Sequence, residues 1–256
     1  MKLLVFAGVA AAALLVAGCG GSGTSAKGSA LAADYDKAAD GLIARMNDPA
    51  AKGQLPGKDD PAVKNYDDAA SRAMAALGTD DLPATGFDSF DRICGKGAKI
   101  IQAYINGGTS GGTADVQAMN ANAQRYMDQM FTPLLFSAHC TAAHLPFIDK
   151  TLSDQDLTSK AAAVAQIRGG AWGQASGLLE MAGDPNFDAA RRGRIMDMLA
   201  GDAANFAIVF SAAQRDELSR TAQSIKPLLP KDSQPDADRV SQAVAKAPCG
   251  KLCKAA

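Results

Sequence analysis

Asp60-Pro-Ala-Val63-Lys-Asn-Tyr66-Asp-Asp-Ala-Ala70-Ser-Arg-Ala-Met74-Ala-Ala-Leu77-Gly78 carries the start, the buried face and the stop of one helix. Asp60 is an N-cap residue, whose side chain can accept one of the backbone N–H groups left over in the first turn. Pro61 suits the first helical position, where no N–H is needed. Val63, Tyr66, Ala70, Met74 and Leu77 recur at the 3.6-residue period of a buried stripe. Gly78 can take the left-handed conformation that ends a helix.

The same grammar extends in both directions. Leu31, Tyr35, Leu42, Ile43 and Met46 mark a helix before Asp48-Pro49, and a third runs from about Asp88 to Ile105. Gly107–Gly112 breaks the chain; it lacks the strand, the spacing and the Lys of a phosphate loop and reads as a connector. A long helical region starts at Thr113, with Pro133 expected to kink it or begin a new helix and Pro146 to disturb its end. Ser153 or Asp154 caps the next helix, through Trp172 to Met181. Asp184-Pro185 opens another, interrupted at Gly201-Asp202. Ser211-x-x-Gln214 is a capping box for a helix ended by Pro227 and Pro230, and a short helix spans about Asp236–Ala245. Period-2 alternation is nearly absent. The expectation is an all-α, single, bundle-like domain of roughly eight to ten helices, occupying residues 31–256. Tyr35-Asp-Lys-Ala-Ala and Tyr66-Asp-Asp-Ala-Ala echo one another, but two Ala-rich helices can match this well by chance.

The first thirty residues follow other rules. Met1-Lys2 precedes an apolar stretch from Leu3 to Val16, the length of a secretory signal core and short of the ~20 residues that span a bilayer. It ends in Val16-Ala-Gly-Cys19. This segment resembles the bacterial lipoprotein signal. The resemblance implies removal of residues 1–18, a diacylglyceryl group on the Cys19 thiol and acylation of the new amine. Residues 19–30, rich in Gly and Ser, read as a flexible tether between lipid and body. Gly20 stands where an Asp commonly retains such proteins in the inner membrane, so the resemblance implies the outer membrane, facing the periplasm, in a cell with two membranes.

Cys19 aside, the five cysteines leave Cys94, Cys140, Cys249 and Cys253. An even remainder in an exported chain reads as two disulfides, with three pairings open. Cys94 shares an apolar stripe with Phe90, Ile93, Ile101 and Tyr104, and Cys140 one with Phe136 and His144, so Cys94–Cys140 and Cys249–Cys253 are the favoured pairs. Cys249-Gly-Lys-Leu-Cys253 has a spacing found in redox and copper-delivery sites, but no strand-like segment surrounds it.

The 256 residues carry 26 Lys+Arg against 27 Asp+Glu, a net charge of −1, which leaves no basic excess for nucleic acid. Glu180 and Glu217 are the only glutamates, no calcium-loop spacing occurs, and the many Asp suit helix ends. His139, Cys140 and His144 are the only cluster of metal-type residues. His139 and His144 point about 140° apart on a helix, and no good third ligand lies nearby. An all-α body is an unusual host for a Ser-His-Asp site, and Glu180 is the one candidate general acid for an envelope hydrolase. No catalytic, cofactor or metal residue is therefore assigned.

Gly170, Gly173 and Gly177, beside Trp172, fall on one stripe, expected to pack inside the protein or to accept a partner's helix. The functional expectation is a lipid-anchored, non-enzymatic envelope lipoprotein, acting as an adaptor or structural component. It would hold the membrane through Cys19 and bind a protein partner. A toxin-neutralising immunity lipoprotein and a hydrolase using Glu180 are the alternatives.

Overall fold

Asp60 begins the helix Pro61–Ala76 by accepting the Ala62 N–H at 2.9 Å, and Gly78 follows it with φ 83°. The computed structural model describes residues 26–48, 50, 54–86, 90–108 and 115–254. The leader, Cys19 and the first part of the tether lie outside the described residues. The described residues form eleven α-helices and no strand, beyond one isolated bridge between Leu77 and Leu82. These are α1 (Ala26–Met46), α2 (Pro61–Ala76), α3 (Gly95–Asn106), α4 (Val116–Arg125), α5 (Met127–Thr151), α6 (Asp154–Ser159), α7 (Ala161–Gly183), α8 (Ala189–Ala207), α9 (Ala212–Ile225), α10 (Gln234–Lys246) and α11 (Lys251–Lys254). Among the described residues, no helix is long and apolar enough to cross a membrane. The chain divides into two compact units, one ending at Cys140 and the other starting at Thr141, so the division falls inside α5.

In the first unit, α1 buries Ala32, Tyr35, Ala39, Leu42 and Met46, and α2 buries Val63, Tyr66, Ala69, Ala70 and Ala73. Tyr35 and Tyr66, the two tyrosines of the sequence echo, meet with ring centroids 5.8 Å apart and hydroxyl oxygens 3.5 Å apart. Phe136 stacks on Tyr35 at 4.4 Å. Asp60 also accepts Arg45 at 3.1 Å, so one carboxylate caps α2 and holds the end of α1. The Lys96 ammonium, only 17% exposed, sits between Asp36 (3.1 Å) and Asp40 (2.9 Å), which ties α3 to α1. Tyr104 donates to the Pro56 carbonyl at 2.9 Å. All three tyrosine hydroxyls are pushed above the ordinary phenol range, chiefly because burial penalises the phenolate. The Cys94–Cys140 disulfide joins the segment before α3 to α5 across a Cα–Cα distance of 5.6 Å, the pairing favoured from the sequence.

The second unit packs α7, α8, α9 and α10 around Leu178, Leu179, Ile195, Met196, Leu199, Phe206, Leu218 and Val240. Phe206 stacks on Phe210 at 6.2 Å, and Trp172 meets Phe210 edge-on at 5.4 Å. Gly183 ends α7 where an added Cβ would fall 2.7 Å from Ile225 Cγ2, so this approach needs a residue without a side chain. Ser153 and Ser211 both form full capping boxes, with Asp156 and Gln214 as their partners. Hydrogen bonds from Lys160 and Ser153 hold the Asp156 carboxyl well below the usual carboxylate range.

Several helix limits differ from the sequence expectation. The N-terminal helix begins at Ala26, inside the Gly/Ser-rich segment. The segment before α3 opens as a wide π turn over Phe90–Cys94, which carries the consecutive residues Ile93 and Cys94 both into the core. The break between α4 and α5 comes at Tyr126, and α5 then runs through both Pro133 and Pro146. Each proline removes one intrahelical bond. Burial of Phe131, Leu134, Leu135 and Phe136 around the first, and of Leu145 and Ile148 around the second, offsets that loss. Asp188, four residues beyond the expected Asp184, caps α8, and α8 passes Gly201-Asp202 uninterrupted. Leu199, Ala200, Ala203 and Phe206 are buried on either side of Gly201, and these contacts override its weak helix propensity.

Candidate functional site

Two regions of the second unit hold the glycine stripe, Trp172, Glu180 and the C-terminal cysteine pair singled out from the sequence. The first is α7. Its buried face is Val164, Ala171, Gln174, Ala175, Leu178, Leu179 and Ala182. Gly170 and Gly177 are half-buried at the margin of that face, and Trp172 is half-buried against Phe210. Gly173 instead faces solvent, and nothing of the described chain lies within 4 Å of where its Cβ would be. The close internal packing expected at Gly173 is therefore absent. Three residues at i, i+3 and i+7 spread around a helix enough for their burial to differ. Gly169, four residues before Gly173, is equally open and exposed, and the sequence stripe did not include it. Glu180 is on the exposed side of the same helix.

An exposed helical glycine with free space costs about 1 kcal/mol relative to alanine. Gly173→Ala should therefore stabilise the second unit by about that amount, raising the thermal midpoint by roughly 4 °C. A scan of heat-induced loss of circular dichroism measures it. A lower midpoint would show that this face is covered.

The second region is the Cys249–Cys253 disulfide, which closes a loop containing α11. Arg215, in the first turns of α9, organises it. Its Nε donates to the Phe210 carbonyl (3.1 Å), Nη1 to Ala247 (2.6 Å), and Nη2 to Pro248 (2.8 Å) and to Cys253 Sγ (3.9 Å). From α5, the Asp149 carboxylate accepts the Leu252 N–H at 2.7 Å. A Cβ on Gly250 would sit 2.5 Å from the Asp149 oxygens, so only glycine allows this approach. The Gly250 N–H donates to Ile208 at 3.0 Å, and Lys251 Nζ donates to Leu152 at 2.6 Å. Leu252 is fully buried and Cys253 is 7% exposed, whereas Cys249 faces solvent.

Cys140 and His144 lie one turn apart on α5, and both are buried. The Cys140 sulfur is committed to its bond with Cys94, so it is not a thiolate ligand. His139 is half-buried on a different side of the helix. Arg215, Asp149 and Lys251 were missed as site residues because their partners lie far along the chain; Gly250 between two cysteines was the one local sign of a crowded backbone. No family model matches the chain, and neither a curated protein nor a solved structure matches it.

Proposed function

We propose that the chain is a lipid-anchored protein of a bacterial envelope that works by binding a protein partner, as an adaptor or structural component, rather than by catalysis. The observation that carries the reading is Val16-Ala-Gly-Cys19 at the end of an apolar leader, followed by a Gly/Ser-rich segment. The two disulfides support it, since such bonds persist in oxidising compartments and are rare in the cytosol. Two or three acyl chains on Cys19, at about 0.8 kcal/mol per buried methylene, make an anchor that does not detach. In a cell with two membranes, Gly20 directs that anchor to the outer one, and the helical body faces the periplasm.

Intact mass of the protein purified from membranes tests the anchor. The expected mass lacks residues 1–18 and carries acyl increments on Cys19. Cys19→Ser should leave the precursor uncleaved or release a soluble form. A wild-type mass without acyl chains would overturn the reading. Crosslinking in intact cells, followed by identification of the captured protein, tests the adaptor role.

A further inference from the structure

The two disulfides occupy opposite environments. Cys94 and Cys140 are 4% and 0% exposed. In the other pair, Cys249 is an exposed residue, and Cys253 is buried against a guanidinium. Thiol–disulfide exchange needs an attackable sulfur and a good leaving thiolate, and nearby cations make the leaving thiolate more stable. The loop supplies both at separate sulfurs.

We propose that Cys249–Cys253 is a thiol-exchange site, at which an incoming thiolate bonds to Cys249 and Cys253 departs as a thiolate beside Arg215. The new S–S bond joins the incoming sulfur to Cys249 Sγ as the old S–S bond breaks. The electron pair of the old bond goes to Cys253 Sγ, so one disulfide and one thiolate are present before and after, and no oxidant is consumed. Return attack of Cys253 on Cys249 expels the added thiol and restores the loop.

The surroundings suit a reversible exchange. Opening the disulfide leaves the Asp149–Leu252, Gly250–Ile208 and Lys251–Leu152 hydrogen bonds in place. Arg215 keeps its bonds to the Ala247 and Pro248 carbonyls. The Cys253 thiolate is therefore held near Cys249 instead of drifting away. The ligand class is a compound bearing a free thiol, and the surface pair thereby accepts a covalent modification that the interior pair is shielded from.

The test uses the folded, oxidised chain and reduced glutathione as the probe. After timed incubation, free thiols are alkylated and the peptides are mapped. The expected result is glutathione on Cys249, the alkyl group on Cys253, and an intact Cys94–Cys140 bond, with exchange at the Cys249–Cys253 pair at least about tenfold faster. Glutathione mainly on Cys253, both disulfides opening at one rate, or no exchange without denaturant would each overturn the proposal.

Discussion

Raising the pH from 8 to 11 is expected to remove about 4 kcal/mol of stability from the first unit. Tyr35, Tyr66 and Tyr104 are each 0% exposed in the folded chain, and burial raises all three above the ordinary phenol value. The carboxylates of Asp36, Asp60 and Asp67 add to the rise, and Arg45 opposes it at Tyr104. In the unfolded chain a tyrosine ionises near pH ~10. The unfolded state therefore sheds protons first, and folding stability is complete below about pH 10 and falls as the pH climbs toward the folded values. Each such group costs about 1.4 kcal/mol per pH unit in that window, and three together give the stated loss by pH 11.

The measurement is a set of urea titrations at successive pH values. The chain has four tyrosines, all between residues 35 and 126, while its one tryptophan, Trp172, belongs to the second unit. Phenolate absorbance and tryptophan fluorescence therefore follow different units. The expected result is a joint rise in phenolate absorbance accompanied by loss of helicity. Smooth titration of these phenols with helicity retained would contradict it.

Removing the Cys94–Cys140 bond is the other large effect. The chain-entropy relation values a loop with its sequence separation of 46 at roughly 4 kcal/mol. The separation of 4 in the Cys249–Cys253 loop corresponds to roughly 2 kcal/mol. The double variant Cys94→Ala/Cys140→Ala should accordingly move the urea midpoint of the tyrosine signal by about 2 M, taking a slope of about 2 kcal/mol per molar. The cavity left by the two buried sulfurs adds a smaller cost, since each alanine keeps its Cβ. A shift below about 0.5 M would show that the reduced first unit keeps the same constraint without its bridge.

The helical class was legible because capping chemistry is local. Asp60, Ser153 and Ser211 each satisfy a backbone N–H within three residues, and all three cap as their sequence implies. The disulfide pairing was legible from the apolar stripes around Cys94 and Cys140. Other features depend on distant partners. Pro133 and Pro146 read as breaks until the burial of their neighbours is known. Tyr126 and Lys160 end helical segments without any Gly or Pro. The α1 core falls on Ala32 and Ala39, whereas the conspicuous Leu31 and Ile43 are only half-buried. The Tyr35 and Tyr66 echo, too weak to read as a repeat, marks the faces on which α1 and α2 meet. At the candidate site, the exposure of Gly173 depends on how far the stripe turns around α7. The Arg215 bonds span 32 to 38 residues, and no periodicity announces them.

The bond from Asp149 to Leu252 spans 103 residues, so it also bears on the order of events during synthesis. A chain made or threaded from its N-terminus presents every segment of the first unit once Cys140 has emerged, and its bridge to Cys94 can then close. The second unit has no such early completion. Asp149 emerges soon after Cys140 but waits for Gly250 and Leu252 before its partners exist. Domains commonly fold in order as they emerge, whereas contacts of long sequence separation form late. Stalling the chain just after residue 240 should therefore yield a protease-resistant first unit joined to a second that is still easily cut. Releasing about fifteen more residues should let the second close.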